Sequence, residues 1–169
     1  MKGWIKDIAI ALIIGILILQ FVKPTIVKEH SMKPTLNEND YIFLNKQAYR
    51  FGEPEIGDII VFHTDFRQPN GKEKLLIKRI IGLPGDKISI ADGILYRNGE
   101  AIKEPYILRE GSTSDMEEFE VPEDSLFVLG DNRENSIDSR DSSLGFIEYD
   151  SIVGKAFFRL YPFDKIGLL

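Results

Sequence analysis

A lysine in an apolar run, a serine at the head of a proline turn and a loop crowded with Asp, Asn, Arg and Ser are where this sequence can do chemistry. The lysine is Lys78, within Leu75 to Asp86. If that run is a strand, the two-residue period puts Leu76, Lys78 and Ile80 on one face and Leu75, Ile77, Arg79 and Ile81 on the other. Burial among aliphatic neighbours lowers the pKa of an ammonium, and a lysine that is neutral near pH 7 is a competent general base. On the wet side of an edge strand, with its stem along Leu76 and Ile80, the same lysine is a solvated cation. The run alone leaves both readings open.

The serine is Ser31, where the β-type run ending near Val27 gives way to Met32, Lys33 and Pro34. Such a junction projects a hydroxyl and offers a backbone N–H to a developing oxyanion, the two needs of serine acyl transfer. A serine beside a proline turn also serves as a local capping residue. His30 is a poor base for it, because adjacent residues on a strand point to opposite faces. The loop runs from Gly130 to Ile147 between apolar segments. It needs its own hydrogen bonds and ion pairs to be ordered, and Asp138 with Arg140 is the natural pair. A plain surface loop is one alternative. A calcium loop is another, although the acidic spacing departs from the EF-hand pattern.

The elements that must position these residues are mostly β. Runs at 25–27, 41–44, 59–62, 75–81, 88–90, 94–96, 126–129 and 152–160 read as strands. Turn residues divide them at 37–40, Gly57-Asp58, 69–71, 83–86, Asp92-Gly93 and Asn98-Gly99. The segment from Lys103 to Asp124 is rich in Glu, Ser and Gly and poor in pattern, so it reads as loop or as part of a peripheral insertion. Ahead of all this, Trp4 to Val22 is apolar apart from Lys6, Asp7 and Gln20. Its extent approaches the roughly 20 residues of a membrane span. The competing reading is a cleaved signal peptide, but no small-x-small site follows the run. We therefore expect an uncleaved anchor in the lipid bilayer. Lys2 and Lys6 precede it, which places the N-terminus in the cytoplasm and the rest outside.

At 169 residues the chain suits one ordinary domain, or a small domain with an insertion. A net charge of -6 with no basic stripe excludes a nucleic-acid partner. The absence of cysteine removes disulfides, thiolate metal sites and a cysteine nucleophile. His30 and His63 are too few for a metal centre, so neither metal nor cofactor is expected.

Taken together, the stretches resemble the type I signal peptidases, in a short form like that of Gram-positive bacteria. Ser31 to Leu36 is similar to the family's nucleophile box, S-M-x-P-T-L. Lys78 to Asp86 is similar to its lysine box, K-R-x-x-G-x-P-G-D, and Gly130 to Arg140 matches G-D-N-R-x-x-S-x-D-S-R. The resemblance covers nearly the whole chain in order. It implies a membrane-bound serine endopeptidase with a Ser-Lys dyad, Ser31 as nucleophile and Lys78 as general base. It assigns Ser136 to orienting the lysine and Asp138 with Arg140 to the floor of the site, with Arg79 in support. Thr25, Val27, Met32, Leu76 and Ile77 become walls for extended substrates with small residues at the first and third positions before the cut. The implied substrates are exported preproteins, pilins among them, cut at the outer face of the cytoplasmic membrane.

The implied fold is an antiparallel β catalytic core at 24–86 and 125–169, with a smaller β insertion at 87–124 and an anchor at 1–23. One position departs from the family. Glu29 stands where relatives carry Gly or Ser, two residues before the nucleophile. A carboxylate there either opposes the growing oxyanion, or pairs with charged Lys78, or turns outward with only its backbone in play. Two other functions remain open. One is an accessory protein that binds a pilin or another client with little or no cleavage. The other is a self-cleaving SOS-type repressor, which requires an N-terminal DNA-binding domain in place of the apolar segment.

Overall fold

The computed structural model describes residues 3–107, 109 and 113–169. Lys2, one of the two lysines used to orient the anchor, lies outside them. The apolar run forms helix α1 (Gly3–Phe21), whose large side chains are exposed on every side. Nineteen residues at about 1.5 Å each span roughly 28 Å, close to the ~30 Å of a bilayer's hydrocarbon core. Trp4–Phe21 is long and apolar enough to cross a membrane, and none of it is buried against the protein. The helix stops one residue earlier than the apolar run, because Val22 already belongs to strand β1 (Val22–Ile26).

The chain continues through β2 (Tyr41–Asn45), the short helix α2 (Ala48–Phe51), β3 (Ile59–Arg67) and β4 (Glu73–Gly82). Next come β5 (Lys87–Ala91), β6 (Ile94–Arg97), β7 (Glu100–Ala101), β8 (Met116–Glu120) and β9 (Ser125–Leu129). Last are β10 (Ile147–Glu148), β11 (Ile152–Tyr161) and β12 (Gly167–Leu168). The fold is mostly antiparallel β, as expected. One sheet runs β1-β2-β11-β3-β4-β9-β10, with β12 beside β11, and a four-stranded sheet runs β7-β6-β5-β8. The hairpins of the smaller sheet follow from local chemistry. Asp92, Gly93, Asn98 and Gly99 all take positive φ, which tight two-residue turns demand and which Asp, Asn and Gly tolerate.

Strand β8 decides between the two readings of 103–124: the segment is not simply loop but supplies a strand to the smaller sheet. Its partly buried residues are Met116 and Phe119, three apart, and the ladder to β5 shifts register between Ile88 and Ile90. A bulged strand loses its two-residue period, so the alternation that marks the other strands is absent here. Phe119 finds its place through Phe127, with ring centroids 5.0 Å apart, and Phe146 at 5.7 Å.

Strand β4 is interior, flanked by β3 and β9, so Lys78 is not on an edge. Leu76 and Ile80 enter one core cluster with Ile60, Phe62, Leu126 and Val128, while Leu75 and Ile77 pack against another around Val27, Met32 and Leu44. The two faces expected from period two are therefore packed against different clusters. Phe62 is paired in register with Leu76 and fully buried. Replacing it with alanine should cost about 3–5 kcal/mol, read by chemical denaturation of the detergent-solubilised chain. A cost below about 1 kcal/mol would show that this cluster is not close-packed.

Candidate active site

The ladder between β3 and β4 sets the register of the lysine. Ile60 is opposite Lys78, and Ile59 is opposite Arg79. Ser31 arrives from elsewhere, at the start of a turn closed by Lys33 N–H to the His30 carbonyl and Leu36 N–H to the Met32 carbonyl. That segment is tied to β1's continuation by Val27 N–H to the Asp40 carbonyl and Asn39 N–H to the Val27 carbonyl. The outcome is a contact between residues 47 apart in sequence: Lys78 Nζ donates to Ser31 Oγ at 2.7 Å. Lys78 is 1% exposed and Ser31 5%. The ammonium also donates to the Ile77 carbonyl at 3.1 Å.

Burial pushes the Lys78 pKa down to about 8, partly opposed by the negative charges of Asp138, Glu29 and Asp131. Lys74 adds to the lowering. The site thus holds a hydroxyl against an amine that loses its proton within reach of neutral pH.

The polar loop fixes the serine through the backbone. Asn132 N–H donates to the Ser31 carbonyl at 2.9 Å, and Asn132 Nδ2 to the His30 carbonyl at 3.3 Å. Asp138 is fully buried and holds the loop together. It accepts from Gly130 N–H at 3.0 Å, and from Arg140 Nε and Nη2 at 2.8 and 2.9 Å. Arg79 makes a fork to Asp131, Nε to Oδ1 at 2.9 Å and Nη2 to Oδ2 at 2.7 Å, while its Nη1 donates to the Gly57 carbonyl. Thr35 Oγ1 also donates to Asp131. Bidentate charged pairs of this kind repay desolvation by filling every donor and acceptor.

Several residues found no role in the sequence. The Arg133 guanidinium is buried, donates to the Gly130 carbonyl, and pairs with Glu104 and Thr113. Arg79 stacks on the ring of Tyr106 at 4.1 Å. Lys74 carried a usable signal, since it lies four residues before Lys78 and so shares its face.

A groove of about 520 Å³ reaches Glu29, two residues before the serine; it is lined by Lys23 to Glu29 on one side, Lys74 to Ile77 on the other, and Val61 and Gln68, and neither Ser31 nor Lys78 lines it. Thr25, Val27, Leu76 and Ile77 are all on its walls. Met32 is not. It is fully buried in the core cluster with Val27 and Leu36, because the turn after Ser31 directs it inward. Ser136 also differs from the orienting role expected of it. Its Oγ is buried without a hydrogen-bond partner, while Lys78 spends its bonds on Ser31 and the Ile77 carbonyl. Glu29 turns to Lys74, carboxylate to ammonium at 2.5 Å. His30 pairs with Glu38 and His63 with Glu73, both exposed. Among the described residues no group of three or more His, Asp or Glu side chains is placed to hold a metal ion.

Gly130 is where the loop, the serine and Ser136 converge. A Cβ there would lie 2.3 Å from Ser136 Oγ and 2.5 Å from the Ser31 carbonyl oxygen. Gly130→Ala must therefore displace the backbone that carries Ser31, and overpacking of this kind costs about 1–3 kcal/mol. We expect it to lower stability by that amount in denaturant titrations. A variant as stable as the parent would mean the loop yields at no cost.

Residues 1–161 match the family model described as signal peptidase, peptidase S26. The chain is 39% identical over 172 residues to "Probable signal peptidase I-1" of Synechocystis sp., covering 99% of this chain and 86% of that protein. It is 37% identical over 174 residues to "Signal peptidase I S" of Bacillus subtilis, covering 96% and 90% respectively. A crystal structure of a signal peptidase I from Enterococcus faecalis is 34% identical with a TM-score of 0.49, covering 60% of this chain and 95% of that one. With the family model matched over nearly its whole length, the chain belongs to the signal peptidase, peptidase S26 family.

Proposed function

We propose that this protein is a membrane-bound serine endopeptidase that removes N-terminal signal peptides from exported preproteins, with Ser31 as nucleophile and Lys78 as general base. The observation that carries this reading is the 2.7 Å contact between Lys78 Nζ and Ser31 Oγ in a setting closed to solvent. Neutral Lys78 takes the proton of Ser31 as Oγ attacks the scissile carbonyl carbon. The tetrahedral adduct collapses, the C–N bond breaks, and the Lys78 ammonium gives its proton to the leaving amine. The serine ester that remains is attacked by water, whose proton passes to Lys78 and then to Ser31 Oγ as the C–Oγ bond breaks, which restores both groups. Asp138 with Arg140, and Arg79 with Asp131, act as positioning groups. They hold the loop whose Asn132 N–H grips the Ser31 carbonyl.

The groove is the proposed substrate channel. An extended chain between the 23–29 and 74–77 walls would pair with backbone and set side chains into shallow apolar recesses at Thr25, Val27, Leu76 and Ile77. The groove begins at Lys23, just after α1 ends at Phe21, which suits a bond cut close to the lipid surface. With α1 as anchor, Lys2 ahead of it and Lys6 in its first turn, the catalytic face lies outside the cytoplasmic membrane. Residues 24–86 and 125–169 form the catalytic unit, with 87–124 as an accessory insertion.

Cleavage of a preprotein by the detergent-solubilised chain tests this. Ser31→Ala should abolish cleavage, and Lys78→Ala should lower kcat/KM by about 10²–10⁴-fold. A folded parent that binds but never cuts preproteins, pilins included, would overturn the reading in favour of an accessory role. The base must be unprotonated to act, so activity is lost as pH falls below the lysine's pKa. We expect kcat/KM to climb about tenfold per pH unit toward about 8 and then level off. A maximum well below pH 7 would exclude Lys78 as the base.

A further inference from the structure

Three anions have fields that reach Lys78: Asp138, Glu29 and Asp131. Each has a cation of its own. Asp138 pairs with Arg140 and Asp131 with Arg79, both carboxylates 1% exposed. Glu29 pairs with Lys74 at 2.5 Å, where the two side chains are 38% and 33% exposed. The first two pairs are largely buried, Asp138–Arg140 within the loop and Asp131–Arg79 tying the loop to β4. The third sits on the rim, bridging the two walls of the groove, with both partners lining it.

The register places this pair beside the reacting one. Glu29 is two residues before Ser31, and Lys74 is four before Lys78 on the same face of β4. Lys74 is held there by its ladder partner Thr64, whose Oγ1 donates to the Lys74 carbonyl at 2.7 Å. Such a half-exposed pair adds little to stability. Its electrostatic effect is larger, because a peptide filling the groove removes water and strengthens any net charge left on the rim.

We propose that Lys74 is a positioning residue of the Ser31–Lys78 pair. Its ammonium holds the Glu29 carboxylate at the groove rim, so that the buried lysine faces a neutral ion pair and not an unpaired anion. This rests on the peptidase reading above for its consequence in catalysis, but its electrostatic core does not. Glu29 favours the charged form of Lys78 and Lys74 disfavours it, so removing Lys74 alone leaves the carboxylate uncompensated.

The test reads Lys78 directly, by NMR titration of lysine labelled with ¹³C at Cε in the detergent-solubilised full chain. Lys74→Met should raise the Lys78 midpoint by about half a pH unit, the order expected of one uncompensated charge acting over roughly 10 Å. Lys74→Arg should hold the midpoint where it is, and Glu29→Gln with Lys74→Met should bring it back. In cleavage assays the acid limb of kcat/KM should move in parallel, a loss of about threefold below the midpoint relative to the plateau. An unmoved midpoint in Lys74→Met, or one that the second substitution fails to restore, overturns the proposal. A moved and restored midpoint in a protein that cleaves nothing upholds it and sinks the peptidase reading alone.

Discussion

The contact between the Lys78 amine and the Ser31 hydroxyl is the constraint around which this molecule is arranged. An ammonium in a nearly dry site is costly, and a cation that loses its proton more readily is the physical response to that cost. The cost is met by placement. Lys78 sits on an interior strand paired by β3 on one side and β9 on the other, which fixes where its side chain starts, 1% exposed, in the protein interior. Leu76 and Ile80, on its own face, belong to a close-packed apolar cluster.

The surroundings of that contact follow one rule: every nearby carboxylate carries its own cation. Asp131 is saturated by Arg79 and Thr35, and Asp138 by Arg140 and a backbone N–H. An unpaired carboxylate would hold the lysine charged, whereas a paired one leaves burial as the dominant influence. The same pairs give the 130–140 loop its shape. Because the loop grips the Ser31 carbonyl, the electrostatics that set the lysine also position the serine.

Much of this was legible in the residues. The strands came from alternation and turn chemistry, and Asp92-Gly93 and Asn98-Gly99 take the positive φ that such dipeptides favour. The period-two faces of the Lys78 run matched two separate packing clusters. Where reading failed, a tertiary partner had overridden the local pattern. β8 hides behind a register shift and three glutamates, and Phe119 is placed by tertiary partners, the rings of Phe127 and Phe146 and the cluster around Ile88. Met32 looked like a wall residue beside the serine, but the turn sends it into the core.

The sequence by itself determined the principal strands, the apolar helix, the three boxes and hence the family, because these depend on residue type and spacing along the chain. Only the tertiary structure decided whether Lys78 was wet or buried, since an apolar run reads the same on an edge strand and an interior one. It also decided the direction of Glu29. A side chain at a groove rim chooses among partners that lie far off in sequence, and Lys74, held on β4 by its ladder to Thr64, is the cation Glu29 meets.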